Sequence, residues 1–253
     1  MKTAFFRPLN LGLALALSLC RLNSAHASAS YDSIVALSYS IGILDSTNPT
    51  AGDRTGLSIL GTYQQANDEF SFYANAAGDG TYLANSPNPS ASAVASLFNG
   101  SFAVSGNAYD GSVDTWHTGQ FGLELSNAGP YRYDLSITLD YALRAAVDGA
   151  FATSAILFDY WDAADQLSGS DYSAAASFAG QLQDQQSAAG SAVWTFTLVP
   201  GATVGLYAQA GIESHLTSTA PVPLPAAIWL FGGTCLGWIG FSRARTAFAT
   251  GKV

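Results

Sequence analysis

Residues Tyr131 to Arg144 alternate without a break. Tyr131, Tyr133, Leu135, Ile137, Leu139, Tyr141 and Leu143 hold the odd positions, and Arg132, Asp134, Ser136, Thr138, Asp140, Ala142 and Arg144 the even ones. Successive side chains of a strand point to opposite faces, so the stretch has one apolar and one wet side. A helix would scatter the same residues around its axis. The pattern therefore demands a half-buried strand whose apolar face is covered by a second layer. On the wet face, Arg132/Asp134 and Asp140/Arg144 are expected to offset one another, as surface pairs that contribute little.

The same period of two recurs along the chain. Val35, Leu37, Tyr39, Ile41 and Ile43 alternate with small residues, followed by Leu57-Ile59-Gly61-Tyr63, Phe70-Phe72-Ala74, Phe102-Val104 and Phe121-Leu123-Leu125. Ala155 to Trp161 predicts a strand with Ile156, Phe158 and Tyr160 inward and Trp161 on the opposite face. Trp194-Phe196-Leu198, the turn Pro200-Gly201 and Val204-Leu206-Ala208 predict a hairpin. Gly78-Asp79-Gly80 and Asn85 to Pro89 are strong breakers, with a short helical turn expected at 91–98. Residues 162–190, rich in Asp, Ser, Ala and Gln, predict a long loop with at most one short helix, Phe178 and Leu182 being four apart. About eight to ten short strands with little helix predict an all-β body. The economical architecture is an antiparallel β-sandwich with jelly-roll-like connections, a closed barrel being the alternative.

Charge is uneven. All eighteen acidic residues lie between Asp32 and Glu213, against three arginines, Arg54, Arg132 and Arg144, in that range. So acidic a body repels polyanions, which excludes nucleic acid as a partner. Both cysteines, Cys20 and Cys235, sit in apolar terminal segments. The body therefore has neither a disulfide framework nor a cysteine metal site.

The two ends differ in kind from the body. Lys2 and Arg7, the apolar stretch Leu9 to Cys20 and then Ala25-His26-Ala27 have the layout of a secretory signal cleaved after Ala27. At the other end, the uncharged run Leu224 to Phe241 is eighteen residues long. As a helix it would span roughly 27 Å, close to the ~30 Å hydrocarbon core of a bilayer. Trp229 and Trp238 suit the interface, and Arg243, Arg245 and Lys252 would hold the C-terminus in the cytoplasm. The organisation expected is a signal at 1–27, a β-sandwich domain at 28–213 and a polar spacer at 214–221. A sorting signal at 222–245 follows, with a membrane helix at about 224–241, and a cytoplasmic tail at 246–253.

Val222-Pro223-Leu224-Pro225-Ala226-Ala227, then Trp229, the glycine-rich apolar run and the closing Arg243 and Arg245, resembles the PEP-CTERM sorting domain of exported bacterial proteins. Leu224 stands where the namesake motif has Glu, so the tail is similar to the VPLPAA variant. The resemblance implies a substrate of signal peptidase and of an exosortase, a membrane cysteine transpeptidase that cuts near the proline motif. It also implies transient anchoring in the inner membrane of a Gram-negative bacterium that makes exopolysaccharide and biofilm matrix, then release to the cell surface or medium.

Motifs that carry chemistry are sparse in the body. Its two histidines, His117 and His215, are expected as exposed loop residues, and no Gly-x-Ser-x-Gly elbow accompanies them. Asp162, Asp165 and Asp171 offer hard oxygen ligands that could suit calcium, though not in EF-hand spacing; no other cofactor is expected. Trp116, Trp161 and Trp194 are expected mostly in the core, with Trp161 the candidate for stacking on a sugar ring. The function expected is a non-enzymatic surface or matrix protein whose body binds extracellular polysaccharide or matrix partners. The alternative is an extracellular carbohydrate-active hydrolase, whose paired carboxylates a sequence cannot reveal.

Overall fold

Alternating residues build strands from one end of the body to the other. The computed structural model describes residues 28–50, 52–65, 72–85, 91–94, 96–149, 151–164 and 166–219. The signal at 1–27 and the tail from 220 onward, including Ala27 and the sorting motif Val222 to Arg245, lie outside the described residues. The chain divides between Ala220 and Pro221 into two units, and the described residues all belong to the first. Among them no helix is long and apolar enough to cross a membrane.

Twelve strands are described: β1 (Ala29–Ser46), β2 (Leu57–Gln65), β3 (Phe72–Gly78), β4 (Thr81–Asn85), β5 (Ala91–Ala93), β6 (Leu97–Ala108), β7 (Gly111–Asn127), β8 (Tyr133–Asp148), β9 (Ala152–Asp162), β10 (Ser168–Ser177), β11 (Gln183–Leu198) and β12 (Thr203–Ser218). They form two antiparallel sheets. One has the order β11-β8-β1-β6-β4, the other β10-β9-β12-β7-β2-β5, with β3 also paired to β7. The sheets face each other across one core, in which Val35, Leu37 and Tyr39 of β1 and Leu135, Ile137 and Leu139 of β8 meet Phe121, Leu123 and Leu125 of β7 and Leu206, Ala208 and Ile212 of β12. Each fully buried aliphatic or phenyl side chain contributes about 1.5–3 kcal/mol of transfer free energy. Hydroxyls tie the layers together through this core. Ser33 on β1 bonds Ser154 on β9 at 2.6 Å, Ser154 bonds Ser214 on β12 at 2.6 Å, and Tyr31 bonds Thr115 on β7 at 2.9 Å.

The second half of the body is one long hairpin folded over. β9 pairs with β10, β8 with β11 and β7 with β12, each returning strand retracing an earlier one. β6 then pairs with β1, which also lies against β8. As a result both ends of the body meet at the turn between β6 and β7: Ala29 pairs with Ala108, and Ser218 with Gly111.

Several expectations are corrected. Residues 91–93 and 97–108 are strands, not a helical turn. The stretch 162–190 holds β10 and the first half of β11 instead of a loop. Its small residues make room for large rings from the neighbouring strands: a Cβ on Gly169 would lie 2.3 Å from the Tyr160 hydroxyl, and one on Gly190 2.3 Å from that of Tyr141. β12 runs to Ser218, taking residues 214–218 from the expected spacer because they continue the ladder with β7. Arg132 pairs with Asp134 at 2.9 Å as expected, whereas Arg144 pairs with Asp32 across the ladder rather than with Asp140.

Candidate functional site

Alternation on the seven-member sheet turns one set of side chains inward and leaves the other on an open outer face. On β9 the inward set includes Ile156 and Phe158, both buried, with Tyr160 half-buried against Trp194 at 5.7 Å between ring centroids. Trp161 therefore faces outward, half-buried, at the end of β9. Directly opposite on β12 stands Tyr207, and the two rings lie 5.9 Å apart with 32° between their planes.

Glycines beneath Tyr207, and further along beneath Trp116, explain how those rings lie. A Cβ on Gly205 would meet the Tyr207 hydroxyl at 2.5 Å, so the phenol folds back flat over a bare strand. Gly122, opposite Tyr207 on β7, keeps the next strand equally low. Four residues further along the ladder, the Trp116 indole lies over Gly211, within 3.5 Å of where its Cβ would be. At ~3.3 Å per residue this second aromatic step is about 13 Å from the first.

Between the two steps runs a polar row, Ser170, Asp159, Gln209, Gln120 and Gln64, in register across five strands. Gln120 donates to Gln209 at 3.3 Å. Beside Trp161 a hollow of about 340 Å³ is lined by Asp159, Tyr160, Ser168, Gly169 and Ser170. Asp114, Glu124, Asp159 and Glu213 bring four carboxylates to this face, and none of the strands of this sheet contains a Lys or Arg. The face thus combines aromatic planes, amide donors and acceptors, and negative potential.

The remaining candidates scatter. Asp162 is buried, with Oδ1 accepting from the Gln166 amide at 2.8 Å, where it closes the β9–β10 turn. Asp171 sits opposite Phe158, four residues along the ladder from Asp162, and accepts from the Tyr141 hydroxyl at 3.2 Å. Burial, helped by that carboxylate, pushes the Tyr141 phenol up to about 12. Asp165 lies outside the described residues. Among the described residues no group of three His, Cys, Asp or Glu side chains could hold a metal ion.

Neither histidine occupies a loop. His117 is fully buried on β7, 6.0 Å from the Tyr82 ring and 6.5 Å from Phe102, and burial lowers its pKa to about 4. His215 is exposed on β12, where Nδ1 pairs with Asp114 and Nε2 meets the Thr217 hydroxyl at 3.2 Å. Trp194 is in the core, while Trp116 is half-buried on the outer face. Sequence reasoning thus singled out Trp161, placed Trp116 in the core, and missed Tyr207. The available signal was Gly205 two residues before Tyr207, on the same side of one strand.

No protein-family model matches the chain, and no curated protein matches it. Among solved structures, it is similar at a TM-score of 0.12 to a crystal structure of a putative beta-galactosidase from Bacteroides fragilis. Identity there is 8%, over 57% of this chain and 25% of that one. A second similarity, TM-score 0.13 at 9% identity, is to the translocator domain of the autotransporter NalP from Neisseria meningitidis, covering 81% of this chain and 96% of that one. Scores this low carry no inference about fold or activity.

Proposed function

We propose that this is an exported, non-catalytic bacterial surface or matrix protein that binds polysaccharide on the outer face of its larger sheet. The observation that carries the reading is the pair Trp161 and Tyr207, laid across adjacent strands with Tyr207 floored by Gly205. A sugar ring presents an apolar face of C–H groups rimmed by hydroxyls. Exposed aromatic planes match the former, and the row Asp159, Gln209, Gln120 and Gln64 supplies partners for the latter. The second step at Trp116 gives a chain, rather than a single sugar, a reason to lie along the face. The four carboxylates favour uncharged or amino-bearing glycans and repel acidic ones.

The architecture we assign to the body is a jelly roll. Strands β11-β8-β1-β6 oppose β10-β9-β12-β7 in nested pairs, and β1 occupies the place of a closing strand that would otherwise follow β12. The route we assign is export by the N-terminal signal, then anchoring and exosortase-type processing through the tail with Val222-Pro223-Leu224-Pro225. Glycan-array binding run beside hydrolysis assays on the same sugars tests the activity. Binding without turnover, on neutral or amino-bearing chains, is expected. Turnover of the bound glycans would favour a hydrolase, and silence in both assays a purely structural role.

A further inference from the structure

The end of the body at which the chain enters and leaves is a row of turns, each bridging the two sheets. Across the width the order is β10–β11, β8–β9, the two chain ends, β6–β7 and β3–β4. Backbone bonds knit the row: Gly149 donates to Leu182 O at 2.7 Å and Thr217 to Phe151 O at 3.0 Å. The Ser218 hydroxyl reaches Tyr109 O at 3.0 Å. Apolar side chains project from these turns, with Phe151 58% exposed, Tyr109 52%, Phe178 51% and Leu182 47%. The turns of the opposite end expose Leu167 and Val199, and among the described residues none of those turns carries an exposed aromatic side chain.

Phe151 sharpens the contrast. It is the one non-glycine residue with positive φ among those described, at 75°. A bulky side chain in that region costs on the order of 1–2 kcal/mol. Nothing in the core repays the cost, because the ring points to solvent. Aromatic residues exposed at one end are what a membrane–water interface accommodates, each with an apolar body in the headgroup layer. Position agrees with this. β12 ends at Ser218, and only five residues separate it from the uncharged run that begins at Leu224. Even fully extended, five residues reach no more than about 18 Å.

We infer that Tyr109, Phe151, Phe178 and Leu182 form a lipid-facing tip that rests on the bilayer surface while the protein is anchored. The turns concerned carry Asp79, Asp110 and Asp148 and no Lys or Arg, so the matching surface is zwitterionic rather than anionic. The inference rests on the reading of the tail as a membrane anchor, not on glycan binding.

The test uses the full chain with Cys20 and Cys235 changed to Ser, reconstituted into phosphatidylcholine vesicles. A fluorophore is attached at Phe178→Cys, at Leu182→Cys as a second probe of the same tip, or at Val199→Cys at the opposite end. Nitroxide lipids labelled near the headgroup should quench the first two several-fold more than the third, and the difference should shrink when anionic lipid is added. Equal quenching at all three sites, with the chain still sedimenting with the vesicles, would overturn the tip. A chain that stays in solution would overturn the anchor reading instead, and the tip with it.

Discussion

Asn127 shows how much of the fold a single side chain can hold. Buried at the end of β7, its Nδ2 donates to Tyr131 O at 2.6 Å and Leu198 O at 3.0 Å, while Oδ1 accepts from the Gly129 amide at 3.0 Å. Its backbone bonds Ala202 and Gly201, so the turns β7–β8 and β11–β12 meet on one residue. Asn127→Leu leaves two carbonyls unpaired and is expected to lose roughly 2–3 kcal/mol in urea denaturation. Asn127→Asp sets a carboxylate against the same carbonyls. It should be at least as damaging at neutral pH and should recover partly in acid, where the protonated group can donate. His117 carries a different dependence on pH. Burial holds its folded pKa near 4, against about 6.5 in an unfolded chain. Below ~6.5 the unfolded state binds a proton that the native state refuses, so stability falls as pH drops from there towards 4, by up to about 3 kcal/mol. Melting temperature followed over that range should decline in the wild type and more shallowly in His117→Leu.

At the scale of elements, what could be read in advance depended on whether a strand carries its own apolar face. β8 was legible because Tyr133, Leu135, Ile137, Leu139 and Leu143 are all buried on one side. β10 and β11 were not. Their sequences, SGSDYSAAAS and QDQQSAAGSAVWTFTL, contain few strand-forming residues before Val193. They become strands because β9 and β8 offer ladders to pair with and rings that need space. That information lies in the partner strand and not in the segment. The platform divides in the same way. Alternation placed Trp161 outside, but it reports only direction; Gly205 hinted at the floor under Tyr207, whereas the glycine under Trp116 lies on a neighbouring strand and came to light from packing alone. Gly205→Val tests the floor directly. The new side chain collides with the far end of a flexible phenol, and a β-branched residue suits a strand, so stability should change little. Tyr207 should lift from the sheet and glycan affinity should fall, which equilibrium binding beside a thermal melt would separate.

For the whole molecule, the decisive feature is the nested pairing that brings Ala29 and Ser218 to the same turn. With its ends together, the body should tolerate circular permutation. Joining residue 28 to 219 through a short flexible linker and opening the exposed β11–β12 turn at Gly201 should give a protein with the same far-ultraviolet spectrum and cooperative melting. A collapsed or non-cooperative product would argue that the order of strands matters to folding more than the nested pairs do. The same topology keeps the proposed glycan platform on a sheet face, clear of the end from which the chain continues to its tail. Binding of a neutral or amino-bearing polysaccharide to the wild type and to a Trp161→Ala/Tyr207→Ala double variant, measured by titration calorimetry, addresses the central claim. Val193→Ala, exposed on β11 of the other sheet, serves as the control. The double variant is expected to lose at least about tenfold in affinity, or ~1.4 kcal/mol, with melting temperature and the control unchanged. Wild-type affinity in the double variant would contradict that claim.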